Sequence, residues 1–256
     1  MARRKGNCYR CGGKATSKEH VPPQCFFPEG KDIGFDLFRL NLITVPSCYK
    51  HNGKKSKDDE FLLAAIAGVV GNNPIGFFHN RTKVKRIFDL NGPNFIHTIT
   101  RNPKDHIWQS EGINYPVTLG NPHYSRMEEC FENIAYGLYY HEFKEVFEGE
   151  ILKFLMFLRY PNEFMEKKKA VIKKRWEYEP KKKVKGSNPE VFKYQFGEKD
   201  EWGFITMKMT FYEGTDIFIC YKSKDSELPY HLGFELINSG VKGVIEFPDG
   251  ENIEFN

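Results

Sequence analysis

Apolar residues at helical spacing recur through the middle of this 256-residue chain. Residues 61–70 form an apolar run behind a capping-box-like start at Ser56, which predicts a buried helix that ends before Gly71. Residues 81–90 predict a basic amphipathic helix. Residues 125–158 carry apolar side chains three and four positions apart, which predicts helix again, with a break near Gly149 and a second helical piece over 151–157.

Short runs of β-forming residues lie on both sides of these helices. A strand is predicted to end near His20, because Pro22 and Pro23 cannot donate to a ladder, and its partner is predicted at residues 40–45. Residues 91–125 mix β-like runs with Gly and Pro and predict a hairpin or an irregular excursion. Alternating runs after residue 190 predict a small antiparallel sheet; they are residues 191–196, 204–212, 216–221 and 244–247.

The chain is therefore predicted to be an α+β protein in four consecutive parts. Residues 1–62 form a compact module, and residues 63–165 form a mainly helical domain with a short β excursion. Residues 166–187 are rich in lysine and predict either a basic linker or an exposed helix, with phosphate binding as an equally weighted role. Residues 188–256 predict an acidic antiparallel β domain.

Composition and charge narrow the class of protein. Apolar residues make up 40% of the chain and aromatic residues 15%, which is typical of a globular protein. We expect a cytoplasmic protein that contacts no membrane, because no apolar run reaches about 18 residues and the basic N-terminus precedes no apolar signal region. The net charge is only +4. However, residues 1–60 are basic and residues 186–256 are acidic, which favours one surface that faces a polyanion.

Two ligand pairs predict a metal site. Cys8 and Cys11 are separated by two residues, as are Cys48 and His51, so each pair can chelate an ion from a single turn. Three thiolates and one imidazole form a closed tetrahedral set that suits structural Zn²⁺. The other cysteines have no such spacing and are predicted to be ordinary half-buried thiols; they are Cys25, Cys130 and Cys220.

Between the pairs lies the dipeptide Glu19-His20. A neutral histidine is a suitable general base for activating a water molecule. Carboxylate and amide oxygens are hard ligands that suit Mg²⁺ or Mn²⁺. Neighbours on a strand point to opposite faces, so near the strand end the two side chains can serve two tasks around one site.

The order of these residues resembles that of HNH endonucleases of the zinc-bound, treble-clef (ββα-metal) type. In that family a first knuckle precedes an acidic residue and histidine, then an apolar residue and proline, then Asn-Leu, a second knuckle, a histidine or asparagine, and lysines. The resemblance covers roughly residues 8–62. The corresponding residues here are Cys8 and Cys11, Glu19-His20-Val21-Pro22, Asn41-Leu42, Cys48 and His51, Asn52, and Lys54-Lys55.

The resemblance implies roles for these residues. His20 would activate water, Glu19 and Asn52 would hold a catalytic Mg²⁺ or Mn²⁺, and Asn41 would brace the loop and orient His20. The chain departs from the family at His51, where a cysteine is more usual, which leaves open an assignment of His51 to the catalytic ion. It departs again at Asn52, where many members have histidine.

The resemblance also implies a nucleic-acid substrate, DNA by default, with RNA left open. Basic residues would grip the phosphate backbone largely without reading sequence. A role in defence against phage follows only by analogy. Two alternatives remain: a zinc-supported binding module without catalysis, and an effector that needs a protein partner on its acidic C-terminal sheet. The expected phosphate-contacting residues are Lys54, Lys55, Lys57, Arg81, Lys83, Lys85 and Arg86.

Overall fold

The structure of the protein is a computed structural model. This structure describes residues 6–34, 37–53, 56–110, 112–226 and 239–256. The chain divides into two compact units, Met1–Lys144 and Glu145–Asn256. Helices and small antiparallel sheets occur in both units, so the predicted α+β class is correct at this level.

A two-stranded antiparallel hairpin organises the start of the first unit. Strand β1 (Ser17–His20) pairs with β2 (Thr44–Ser47), with Glu19 opposite Val45 and His20 opposite Thr44. The predicted partner strand at residues 40–45 is therefore wrong in position, because the strand begins at Thr44 and includes Pro46. A two-stranded ribbon tolerates this proline, since both of its strands are edges and no third strand needs the missing N–H.

Short helices follow each strand of the hairpin. Helix α1 (Gly30–Ile33) lies in the connection between the strands, after a 3₁₀ turn at Gln24–Phe26. Helix α2 (Tyr49–Asn52) follows β2 directly. Helix α3 (Ser56–Ala67) then buries most of its apolar side chains, as its sequence predicts, but it ends three residues earlier than expected.

Residues 74–91 are helical without interruption. Helix α4 (Pro74–His79) begins at a proline, and the side chain of Asn73 caps it by accepting a hydrogen bond from the Gly76 N–H at 3.1 Å. A π-helical turn (Asn80–Val84) leads into α5 (Lys85–Asn91), so the helix predicted over residues 81–90 is present.

Residues 93–122 contain the predicted hairpin, although it starts later than the sequence suggests. The β-like run before Thr100 is helical instead, as a 3₁₀ turn (Pro93–Phe95) and α6 (Ile96–Ile99). Strands β3 (Thr100–Ser110) and β4 (Ile113–Pro122) then form a long antiparallel ribbon.

Helix α7 (Tyr124–Phe143) carries the predicted apolar stripe and packs on the N-terminal hairpin. Gly137 makes this approach possible, because a Cβ atom there would come within 2.6 Å of Val21 Cγ2. The guanidinium of Arg10 lies 3.3 Å from the centroid of the Tyr136 ring and bonds Glu132 at 2.9 Å. These contacts fix the hairpin on α7.

Replacing Gly137 with alanine is expected to destabilise the protein by about 1–3 kcal/mol, because the added methyl group overpacks the Val21 contact. Urea unfolding measures the change. Val21→Ala provides the control, since the alanine at position 137 should cost less in that background. An equal cost in both backgrounds would show that this contact does not limit the packing.

The second unit is built on a five-stranded antiparallel sheet in the order β5-β9-β8-β7-β6. Residues 151–157, expected to be helical, lie largely in strand β5, which pairs with β9 along its length. Tertiary pairing here overrides the local pattern. The strands are β5 (Gly149–Leu155), β6 (Lys185–Asn188), β7 (Phe192–Phe196), β8 (Phe204–Phe211) and β9 (Thr215–Ser223).

The lysine-rich stretch, residues 166–187, begins in a packed helix and ends in strand β6. Helix α8 (Glu163–Tyr178) buries Ile172 and Trp176 against Phe154 and Phe218 of the sheet. A last hairpin, β10 (Gly243–Glu246) with β11 (Asn252–Phe255), packs on the same helix. The lysines of α8 therefore occupy the polar faces of an amphipathic helix.

Candidate metal centre and the adjoining pocket

The first ligand pair lies on a tight turn before the hairpin. The N–H of Gly12 donates to the Cys8 carbonyl at 2.9 Å, and the Cys8 N–H donates to Gly13 at 2.7 Å. Gly12 has a φ of +69°, a left-handed conformation that glycine adopts without steric cost. The turn thereby brings Cys8 and Cys11 to one side of the backbone.

The second pair lies at the start of α2. The N–H groups of His51 and Asn52 both donate to the Cys48 carbonyl at 3.1 Å, which closes one helical turn. Residues three apart on such a turn share a face. The Cys48 Sγ and the His51 Nδ1 accordingly lie 3.2 Å apart.

The four ligand atoms converge on one point. All of them lie within 4.8 Å of one another, and among the residues that the structure describes no other group of three or more His, Cys, Asp or Glu side chains does so. The Cys11 and Cys48 sulfurs are 4.0 Å apart, and Cys8 Sγ lies 3.5 Å from His51 Nδ1. Tetrahedral Zn²⁺ with Zn–S bonds of about 2.3 Å requires sulfurs about 3.8 Å apart. The Cys₃His group can thus hold a metal such as zinc, as predicted.

The Cys8 thiol has a lowered pKa, which favours the thiolate form. Its burial opposes ionisation, but backbone N–H groups of Arg10, Cys11 and Cys48 and the His51 side chain outweigh this and lower its pKa to about 6. A thiolate is the form that ligates metal. This thiol therefore requires little energy to deprotonate near neutral pH.

Tyr9 connects this centre to the hairpin. The side chain is fully buried, its N–H donates to the Pro46 carbonyl at 2.9 Å, and its hydroxyl donates to Glu19 Oε1 at 3.3 Å. Burial and the Glu19 charge raise the pKa of Tyr9, so the phenol remains a donor. The position of the Glu19 carboxylate thus depends on the turn that carries Cys8 and Cys11.

Asn52 connects α2 to the same strand. Its side-chain nitrogen donates to Ser17 Oγ at 2.8 Å and to the Lys18 carbonyl at 3.4 Å. Because the nitrogen is engaged with the strand, the carbonyl oxygen Oδ1 is left as the ligand atom of this side chain. His51, its neighbour, belongs by geometry to the thiol cluster.

A pocket of about 220 Å³ adjoins the metal centre. Glu19, His20 and Asn52, three residues with a predicted chemical role, all line it. Asp59 of α3 lines it too, although its sequence position indicates only a favourable charge at a helix N-terminus. The sequence contains no signal for its proximity to His20, because that depends on how α3 packs.

The burial of His20 and the charge of Arg39 lower the pKa of this histidine below its usual range. The imidazole is therefore neutral at physiological pH and can accept a proton. Asn41, the residue expected to orient it, lies in an exposed turn ahead of β2 with a φ of +54°. Asn41 is not among the described residues that line the pocket.

The predicted phosphate-contacting residues fall into three groups. Lys83, Lys85 and Arg86 make ion pairs inside the first unit, to Glu29, Asp89 and Asp32 respectively. Lys57 and Arg81 are exposed. Lys54 and Lys55 lie outside the described residues. Hydrogen bonds from Lys31 and Lys83 lower the pKa of Glu29 to about 2, so this anion stays paired over the whole physiological range.

Comparisons with protein-family models, with curated proteins and with solved structures gave no match to this chain. Among the described residues, no helix combines the length and the hydrophobicity that crossing a membrane requires.

Proposed function

We propose that this chain is a metal-dependent endonuclease that hydrolyses phosphodiester bonds, with DNA favoured over RNA as substrate. The observation that carries the proposal is the pocket shared by His20, Asn52 and Asp59 beside a Cys₃His cluster. A general base, an amide and a carboxylate reach it from β1, α2 and α3. Hydrogen bonds from Tyr9 and Asn52 tie the pocket to both halves of the cluster.

In this proposal the Cys₃His group holds a structural zinc ion in a treble-clef module. All four positions around the ion are filled by protein atoms, which leaves none for substrate. The hairpin buries little apolar surface, so the ion supplies the rigidity that holds β1 and α2 together. The order of knuckle, hairpin, knuckle and helix supports this assignment.

The pocket has the donors that a hydrated Mg²⁺ or Mn²⁺ ion prefers. Asn52 and Asp59, together with Glu19, offer oxygen atoms, and such ions commonly keep several waters besides one or two carboxylates. An ion bound there would offset the negative charge of the scissile phosphate. Neutral His20 takes the proton of the attacking water, while the bonds that Asn52 makes to β1 keep its amide beside that histidine.

Nicking of supercoiled plasmid tests the proposal. The chain, purified without chelator, should convert it to the open circular form when Mg²⁺ or Mn²⁺ is added, and should not do so without these ions. Plasmid and RNA substrates that both stay intact with either ion would refute the proposal.

Asp59→Asn is expected to slow cleavage about tenfold or more, because the variant loses a charged oxygen donor in the pocket. Glu60→Gln is the matched control, since Glu60 is the next acidic residue of α3 and does not line the pocket. Cleavage rates under single-turnover conditions measure both. Equal rates for the two variants would remove Asp59 from the site.

A further inference from the structure

The first unit contains a second concave surface, which we call the aromatic groove. It lies between the C-terminal end of α3, helix α4 and the β3–β4 ribbon, and its volume is about 610 Å³. That size is within the range of about 300–1,000 Å³ found for small-molecule sites. Its lining includes Phe77, Asn80, Arg81, Trp108 and Tyr115.

Three aromatic rings face this groove and remain accessible. Trp108 and Tyr115 are paired across the ribbon, with ring centroids 5.4 Å apart. Trp108 is 42% exposed and Phe77 is 50% exposed. Exposed aromatic side chains gathered in one concavity are unfavourable in water and mark a binding surface.

The charge of the groove indicates which kind of ligand it accepts. Arg81 is the one charged side chain among its described lining residues. The Arg81 guanidinium lies over the Phe77 ring, with Cζ 5.3 Å from the centroid, and within the described parts of the chain it makes no ion pair. The groove therefore combines ring faces with one available cation and no carboxylate.

We infer that the aromatic groove binds an unpaired stretch of nucleic acid, stacking a base on Trp108 and Tyr115 and placing its phosphate at Arg81. Aromatic faces stack on bases of any sequence once those bases are unpaired. A guanidinium is suited to phosphate oxygens, and the Asn80 amide can bond a base edge. An apolar protein segment would leave the cation without a partner, so charge favours the nucleotide.

The groove and the His20 pocket lie at the two ends of α3. Asp59 lines the pocket and Ala67 lines the groove. These two residues are eight positions apart on the helix, which corresponds to about 12 Å. Stacked nucleotides rise about 3.4 Å each, so the two sites match a strand segment of three or four nucleotides. The inference deepens the proposed function and depends on it for the class of ligand.

Binding is tested without cleavage, by fluorescence anisotropy of a labelled oligo-deoxythymidine in buffer without added Mg²⁺ or Mn²⁺. The full chain should bind the single strand more tightly than a duplex of the same length. Trp108→Ala should weaken binding about fivefold to a hundredfold, the range expected for one stacked base. Arg81→Gln should also weaken the binding of the oligonucleotide.

Two controls distinguish the groove from a general loss of structure. Trp108→Phe keeps a stacking ring and should restore most of the affinity. Ile107→Ala alters the neighbouring side chain on the other face of the strand, which is 72% exposed, and should leave binding unchanged. Unchanged binding by Trp108→Ala, or a preference for duplex, would overturn the inference. The inference would also fail if an apolar fluorescent dye bound in the groove and the oligonucleotide did not displace it.

The outcomes separate the two claims. A wild-type chain that binds through Trp108 but never cleaves would refute the proposed function and support the groove. A chain that cleaves, and whose Trp108→Ala variant binds and cleaves normally, would refute the groove alone.

Discussion

Cys48→Ser is expected to reduce the zinc content from about one ion per chain to nearly none and to unfold the hairpin module. Cys48 supplies a ligand and also begins α2, so its loss opens the cluster on the side of His51 and Asn52. Because structural zinc contributes folding free energy directly, its loss removes the link between the Cys8–Cys11 turn and α2, and the contacts that α7 makes with Val21 and Arg10 do not replace that link.

Metal analysis and hydrogen exchange measure these two effects. Amides of β1 and β2 should lose protection, whereas the sheet of the second unit should keep it, since that sheet has its own core. Cys130→Ser is the matched control, because Cys130 is a half-buried thiol outside the cluster. Wild-type protein that contains no zinc after purification without chelator would refute the metal assignment.

His20→Ala is expected to lower the cleavage rate about 10²- to 10⁴-fold, the usual contribution of a positioned general base. The module should stay folded, because His20 is only partly buried and is not a metal ligand of the cluster. Single-turnover rates on a labelled DNA substrate measure the loss. His97→Ala controls for the removal of an imidazole, since His97 is exposed on α6 and is not among the described residues that line the pocket or the groove.

The metal centre could be predicted because its information is local. Cys8 and Cys11 share one turn, and Cys48 and His51 share another, so the spacing alone specifies both chelates. Only the meeting of the two halves requires the hairpin, and the sequence already contains a strand signal on each side. The helices in residues 56–67, 85–91 and 124–143 and the antiparallel strands after residue 190 followed in the same way from periodicity.

The remaining features depend on contacts between distant residues. Asp59 lines the pocket because α3 packs there, and no spacing encodes that. Residues 151–157 have a helical pattern but pair with β9, which decides their conformation. Lys83 and Arg86 resemble phosphate ligands in sequence, yet they form ion pairs with Glu29 and Asp32. The aromatic groove needs Trp108 opposite Tyr115, a register that sequence patterns do not fix.

The most direct test of the nuclease proposal compares wild type, His20→Ala and His97→Ala on supercoiled plasmid with Mg²⁺ and with Mn²⁺. All three proteins should first be shown to carry the same amount of zinc. Open circular plasmid is expected from the wild type and from His97→Ala, and almost none from His20→Ala. Equal nicking by all three proteins would show that His20 is not the base, and no nicking by any of them would contradict the nuclease proposal itself.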